Sequence, residues 1–288
     1  SRGIKVVKAF SKNDLIIASG KFSLWIVAFT SMFYKKKQIA IIHGTEVNSK
    51  QLLFKKLTNA SLKKFHKIIA VSKFTKSLID PLNLRNVEVI PNGFEQEEFK
   101  VEQEEKLKGT PSLITVGSVS DRKGQQNVIK ALPKLIEFYP EIHYHIVGFP
   151  SKKSELIALA KKLKVDKHIS FYGVVDAQKK YELLKRSDIF TMLSENTRDG
   201  DVEGFGIALI EANSVGLPTI GARGCGIEDA ILNFKSGVLI DRSNSEEFSE
   251  AIKLILSDYS NFQSASKHWA SNFNWSNIIK KYIKSFNF

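Results

Sequence analysis

The residues best suited to chemistry lie in Asp201-Val-Glu-Gly-Phe-Gly-Ile-Ala-Leu-Ile-Glu211. Two carboxylates, Glu203 and Glu211, have seven residues between them, and Gly204-Phe205-Gly206 makes a turn after the first. The apolar run behind that turn predicts a helix over Ile207–Ser214, and Gly206 to Glu211 is little more than one turn of it. Both carboxylates can therefore face one cleft at the N-terminal end of the helix. The backbone N–H groups of Phe205, Gly206 and Ile207 and the positive end of the dipole suit a diphosphate there. Carboxylates beside it suit sugar hydroxyls. The plainer alternative is a helix start whose acidic residues only favour the dipole.

A second candidate is Val116-Gly-Ser-Val-Ser-Asp-Arg-Lys-Gly124, at the end of a strand and the opening of a helix. Arg122 as a fork and Lys123 as a point charge can meet phosphate oxygens, and Gly117 lets a ligand approach the backbone. A solvated loop with two cations is the alternative. A third stretch, Ile220-Gly-Ala-Arg-Gly-Cys-Gly-Ile-Glu228, is also strand, glycine-rich turn and helix. Its glycine spacing is not that of a dinucleotide site, and it reads equally as a tight turn. Asp199-Gly-Asp201 imitates a metal-holding Asp-x-Asp pair but has no further ligand set. His143 and His145 share one face of a strand and are expected in the core. No Ser-His-Asp set, Cys-His set or P-loop can be drawn, which argues against hydrolases and NTPases.

The elements that hold these residues follow from hydropathy. From residue 112, six short apolar runs alternate with helical stretches: Ser112–Gly117, Tyr144–Gly148, Ile169–Gly173, Asp188–Leu193, Leu217–Gly221 and Val238–Ile240. The intervening helices are expected at Gln125–Phe138, Ser154–Leu163, Ala177–Arg186, Ile207–Ser214, Ile227–Leu232 and Glu246–Leu256. This alternation predicts a doubly wound parallel sheet, whose ligands sit at the carboxyl ends of the strands. Upstream, Asp14–Ser19, Ile39–His43, Lys67–Val71 and Val87–Ile90 predict part of a second α/β domain. The expected division is 1–95 for that partial domain, 96–110 for a polar, acidic linker, 111–272 for the second domain and 273–288 for a closing amphipathic helix. That helix is expected to pack back toward the first domain.

Composition sets the outer bounds. With 288 residues, 43% hydrophobic and 25% charged, the chain is an ordinary globular protein, not a disordered, collagen-like or disulfide-framework one. One cysteine, Cys225, predicts a reducing, cytoplasmic setting. The longest apolar stretch, Phe22–Tyr34, falls short of the roughly 20 residues of a spanning helix. No signal-peptide pattern follows Ser1, so no integral membrane protein is expected. Residues 1–90 carry 17 Lys and Arg against 4 Asp and Glu, whereas 91–288 carry 26 of each, so the whole +13 excess lies in the first third. Lysines interleaved there with Phe22, Trp25, Phe29, Phe33 and Tyr34 suit an anionic membrane surface better than nucleic acid. A merely solvated lysine-rich surface is the alternative.

The three motifs, in this order, resemble the retaining GT-B glycosyltransferases of family 4. The Glu203–Glu211 element is the strongest match. Ile41-Ile-His-Gly-Thr-Glu46, Ile68-Ile-Ala-Val-Ser-Lys-Phe74, Val89-Ile-Pro-Asn-Gly-Phe94, Ile146-Val-Gly148, Phe171-Tyr-Gly-Val174 and Phe273-Asn-Trp275 extend it over nearly the whole chain.

The resemblance implies two Rossmann-like doubly wound domains, the first shortened. It also implies metal-independent transfer of a sugar from a nucleotide-diphosphate sugar, UDP before GDP, with retention. On this chain Arg122 and Lys123 would balance the leaving diphosphate, beside Gly117 and Ser118. Gly204, Phe205, Gly206 and Ile207 would offer N–H groups. Glu211 would bind the ribose, Glu203 the transferred sugar, and the backbone at Val174 the base.

Three departures mark this sequence. Ser118 stands where the family usually has Arg, and Ser19 replaces a common His, leaving His43 and Ser19 as acceptor-side residues. The first domain is also shorter than the family's. The implied acceptor is a saccharide or a lipid-linked intermediate of surface-polysaccharide or glycolipid synthesis, reached from the cytoplasm and its membrane face. A non-catalytic nucleotide-sugar or polyanion-binding module and a GT-B epimerase are the alternatives. Nucleic-acid binding has no recognisable module here.

Overall fold

The structure is a computed structural model that describes residues 8, 10, 12–95, 99 and 105–286. Most of the linker expected at 96–110 (96–98 and 100–104) lies outside the described residues, as do Arg2 and Lys5 of the basic third and the last two residues of the closing helix. The chain folds into two compact units, one of Ser1–Asn92 with Asn196–Phe205, the other of Gly93–Glu195 with Gly206–Phe288.

The first unit holds four parallel strands, β1 (Leu15–Ser19), β2 (Lys37–Ile42), β3 (Lys67–Ala70) and β4 (Val87–Val89), in that spatial order. Leu15 pairs with Lys37, Ile39 with Lys67 and Ile68 with Val87. Three helices connect them: α1 (Lys21–Thr30), α2 (Leu52–Leu62) and α3 (Lys73–Ser77). Phe10, Leu24, Ile42, Leu62 and Ile68 are fully buried in its core.

The second unit holds β5 (Ser112–Val116), β6 (His143–Val147), β7 (Ile169–Gly173), β8 (Ile189–Met192), β9 (Thr219–Ala222) and β10 (Gly237–Ile240). All pairs are parallel, in the order β10-β9-β8-β5-β6-β7. Every residue of β6, β8 and β9 is buried, as expected of strands covered on both faces. The covering helices are α4 (Gln125–Phe138), α5 (Lys153–Lys162), α6 (Ala177–Lys185), α7 (Ile207–Ser214), α8 (Ser245–Ser257), α9 (Tyr259–Ser271) and α10 (Trp275–Phe286).

All ten strands fall within a few residues of the stretches that hydropathy marks. Two helical regions differ. Ile227–Leu232, expected as a helix, is a short 3-10 turn over Gly226–Ala230. Within it the Glu228 carboxylate accepts the Gly224 N–H. The helix α9 has no counterpart among the expected elements. The closing helix belongs to the second unit, where the Trp275 N–H donates to the Phe94 carbonyl at 3.2 Å.

The strand order places the site. The sheet grows from β5 outward through β6 and β7 on one side, and β8, β9 and β10 on the other. Loops after β5 and β8 therefore leave the sheet in opposite directions, and a crevice opens at their carboxyl ends.

Candidate functional site

In the second unit, β5 runs into Gly117, and the aliphatic stem of Lys123 lies over it: a β-carbon there would stand 3.1 Å from Lys123 Cε. The buried Gln125 clamps the loop between them. Its Nε2 donates to Ser118 O at 3.1 Å, and its Oε1 accepts from Ser120 N at 3.4 Å. A 3-10 turn, Asp121–Lys123, then carries the two cations and ends at Gly124 with φ of 73°. Lys152 holds the start of the turn through Asp121, at 2.6 Å. Arg122 and Lys123 are half-buried.

Residues after β8 complete this corner. The Glu195 N–H donates to Arg122 O at 3.1 Å. Its carboxylate accepts from Gln126 Nε2 at 3.0 Å and Asn127 Nδ2 at 3.1 Å. Glu195 is thus a strut between β8, the first turn of α4 and the Arg122–Lys123 turn. Neither Glu195 nor Gln125 is among the sequence-derived candidates, because their partners lie on other elements and no local spacing marks them.

The helix α7 starts at Ile207, behind Gly206 with φ of 81°. The Leu209 N–H donates to Gly206 O at 3.0 Å, whereas the Ile207 and Ala208 N–H groups precede any helical acceptor, so the helix presents a positive N-terminal end. Glu211 points into a cavity of about 420 Å³ whose walls include Ala177, Lys180, Tyr181, Ile207 and Trp275. There Glu211 Oε1 meets Lys180 Nζ at 2.9 Å, with both side chains about 30% exposed. Lys180 is a third site residue without a sequence signal, since it lies 31 positions from its partner. Val174, directly after β7, is 71% exposed, and Ser118 is exposed as well.

Glu203 belongs to the first unit, with Gly204 and Phe205, whereas Gly206, Ile207 and Glu211 belong to the second. The segment that bears Glu203 is bound to the loop after β2. Thr45 Oγ1 donates to Asp201 Oδ1 at 2.6 Å, Asn48 Nδ2 to Gly200 O at 3.1 Å, and Thr75 Oγ1 to Gly204 O at 3.3 Å. A β-carbon on Gly204 would fall 1.8 Å from the His43 carbonyl oxygen, so only glycine permits this approach. Glu203 is 8% exposed. The two acceptor-side candidates meet directly, with Ser19 Oγ 2.9 Å from His43 Nε2. The Glu46 carboxylate accepts the His43 N–H at 2.6 Å and fixes that backbone.

The remaining candidates have structural partners. His143 and His145 are buried in β6 and bond Ser170 at 2.8 Å and Tyr172 at 3.0 Å. Burial, together with the neighbouring His145, pushes the His143 pKa down to about 4. In the third motif Arg223 is ion-paired with Glu247, and Cys225 is buried. Asp199 accepts from the Thr197 hydroxyl, which lowers its pKa. Among the described residues no group of three His, Cys, Asp or Glu side chains could hold a metal ion.

A family described as glycosyl transferases group 1 matches residues 96–272, and one described as Glycosyltransferase Family 4 matches residues 2–98. The GDP-mannose-dependent alpha-(1-6)-phosphatidylinositol monomannoside mannosyltransferase of Mycolicibacterium smegmatis is 29% identical over 170 residues, covering 57% of this chain and 44% of that protein. An uncharacterized glycosyltransferase of Methanocaldococcus jannaschii is 29% identical over 279 residues, covering 88% of this chain and 69% of its own. This chain therefore spans less than half the length of the first relative and about two thirds of the second. The crystal structure of Anabaena HepE in complex with UDP superposes with a TM-score of 0.81 at 20% identity, covering 98% of this chain and 81% of that one. That likeness is one of fold, two parallel-sheet units in the GT-B manner. Because the first family runs through more than half of the sequence and contains the turn, the strut and the helix start just described, the chain belongs to the glycosyl transferases group 1 family.

Proposed function

We propose that the chain transfers a glycosyl group, with retention, from a nucleoside diphosphate sugar to a saccharide or lipid-linked acceptor of surface-polysaccharide or glycolipid synthesis. One observation carries this reading. Two cations on a clamped turn and a helix start bearing a carboxylate stand at the carboxyl ends of a doubly wound sheet, in one unit.

Each residue then has a task. Arg122 and Lys123 meet the negative charge that grows on the leaving diphosphate, and the N–H groups from Gly206 onward add to it. Glu211 accepts from the ribose hydroxyls, the backbone at Val174 meets the base, and Glu203 contacts the transferred sugar. His43 and Ser19 stand on the acceptor side. Residues 111–272 are read as the donor-binding domain and 1–95 as the acceptor-side domain. A sequence with one cysteine, Cys225, suits a reducing compartment such as the cytoplasm.

Relatives point to two nucleotides: the Mycolicibacterium protein is named for GDP-mannose, and Anabaena HepE was solved with UDP. The test is therefore calorimetric titration with both UDP and GDP, with Glu211→Ala beside the unsubstituted chain. Saturable binding of one nucleotide, lost or much weakened in the variant, supports the reading and names the base; turnover of the matching sugar nucleotides follows. Binding of neither nucleotide would overturn the donor site as drawn for this chain.

A further inference from the structure

In the first unit, α1 is apolar on both sides, and only one side is buried. Leu24, Val27 and Ala28 face the core at helical spacing. Phe22 and Phe29, two turns apart, face outward at 64% exposure each, and Met32 and Phe33 continue the stripe at 69% and 70%. Trp25 joins α1 to α2: its ring lies 5.4 Å from that of Phe54, and its Nε1 donates to Thr58 Oγ1 at 3.0 Å. Beside this contact α2 exposes Leu52, Leu53 and Leu57. The rings of Phe22 and Trp25 are 5.3 Å apart, and those of Phe29 and Phe33 are 5.5 Å apart, so the aromatic side chains of this stripe stand in contacting pairs. A helix that is apolar all round is ordinarily buried all round. An exposed apolar patch of this kind needs an occupant.

The charge around it says which. From Lys21 to Lys64 there are nine lysines and one acidic residue, Glu46, which is buried. The Lys21 ammonium lies over the Phe54 ring at 4.4 Å and within 5.5 and 5.8 Å of the Phe22 and Trp25 rings, a cation set beside the aromatic groups. Lys35 and Lys37 stand exposed just past Phe33, and Lys55 and Lys56 are exposed on α2. Apolar groups in the middle and flexible cations at the rim fit a lipid surface with anionic headgroups. Nucleic acid is a poorer fit, because the rings project from convex helices instead of lining a groove into which bases stack.

We propose that α1, the Met32–Lys37 segment and α2 form a docking face for an anionic lipid bilayer, with Phe29 and Phe33 entering the headgroup layer. The inference is independent of nucleotide binding, and it gives a lipid-linked acceptor a surface on which to be met.

The test is flotation of the whole chain with vesicles of phosphatidylcholine alone or mixed with phosphatidylglycerol, at low and high salt. Two double variants, Phe29→Ser with Phe33→Ser and Lys35→Glu with Lys37→Glu, change only exposed side chains. The expected result is binding to the anionic vesicles at low salt, weakened by about tenfold or more in either variant. Thermal unfolding and the nucleotide isotherm of both variants should match those of the unsubstituted chain. A Phe33→Trp variant should shift its emission to the blue with anionic vesicles only.

Several results would overturn the proposal: no flotation at low salt, equal binding to the neutral vesicles, or unchanged binding in both variants. A dimer that the phenylalanine variant dissociates would reassign the face to a second copy of this chain. Tighter binding of a single-stranded oligonucleotide through the same lysines would reassign it to nucleic acid. Flotation without any nucleotide binding would leave this face intact and count against the transferase reading alone.

Discussion

A β-carbon on Gly124 would come to 1.8 Å from the Leu193 carbonyl oxygen, and the residue sits at φ of 73°, where side chains are strained. Because the Arg122–Lys123 turn ends here, Gly124→Ala must push that turn away from β8 or distort it. The expected cost is about 2–4 kcal/mol, read from urea unfolding, together with weaker nucleotide binding. Glu195 acts on the same turn from the other side. Glu195→Ala removes one acceptor from each of the Gln126 and Asn127 amides, which keep Asp121 O at 2.8 Å and Leu193 O at 3.0 Å, and so loosens α4 from the chain after β8. We expect about 1–2 kcal/mol of lost stability and a several-fold weaker nucleotide affinity. Unchanged affinity in a folded Glu195→Ala protein would show that the strut does not position the cations. The cations and Glu211 were legible because their charge and glycine neighbours recur at short spacing. The strut and Lys180 were not, because a contact such as Lys180–Glu211 exists only after two helices have packed.

At the scale of elements, burial explains both what hydropathy revealed and what it concealed. Strands such as β8 and β9 are buried on both faces and read as continuous apolar runs. The helix α9 buries only Phe262, Ser266 and Ala270, a stripe four residues apart in which a serine takes one place, so its apolar period is too faint to announce a helix. Its Ser266 hydroxyl instead donates to Ser236 O at 3.1 Å. Likewise β6 carries two histidines in a buried strand, held by Ser170 and Tyr172. That burial has a pH consequence. With the folded pKa of His143 pushed down to about 4 from 6.5, the unfolded chain takes up a proton across that window while the folded chain does not. Stability should therefore fall as pH drops from about 6.5 to about 4, by up to about 3 kcal/mol from this group, with no further loss from it below. Urea titrations across the window, compared with His143→Gln, isolate that share. A variant whose stability falls as steeply as the unsubstituted chain's would show that other groups set the acid limit.

For the whole molecule the decisive asymmetry is electrostatic: the excess of +13 lies within residues 1–90, and the rest of the chain is balanced. A nucleoside diphosphate and an anionic bilayer would draw on different parts of that distribution. A diphosphate would meet two half-buried cations and a helix start, where close hydrogen bonds count for more than the distant field. An anionic bilayer would meet exposed lysines on flexible stems, each acting through solvent. Salt should separate the two. The screening length shrinks from about 10 Å at 0.1 M to about 3 Å at 1 M, which removes most of the attraction between an exposed lysine and a surface but little of a contact at hydrogen-bond distance. Raising ionic strength over this range should abolish flotation with phosphatidylglycerol vesicles. Nucleotide affinity in the same buffers should fall by less than about tenfold. Calorimetry and flotation, run on one preparation, make the comparison. If nucleotide affinity instead collapsed in step with vesicle binding, the phosphate would be held by the exposed lysines of the first unit, and Arg122 and Lys123 would lose the role given to them.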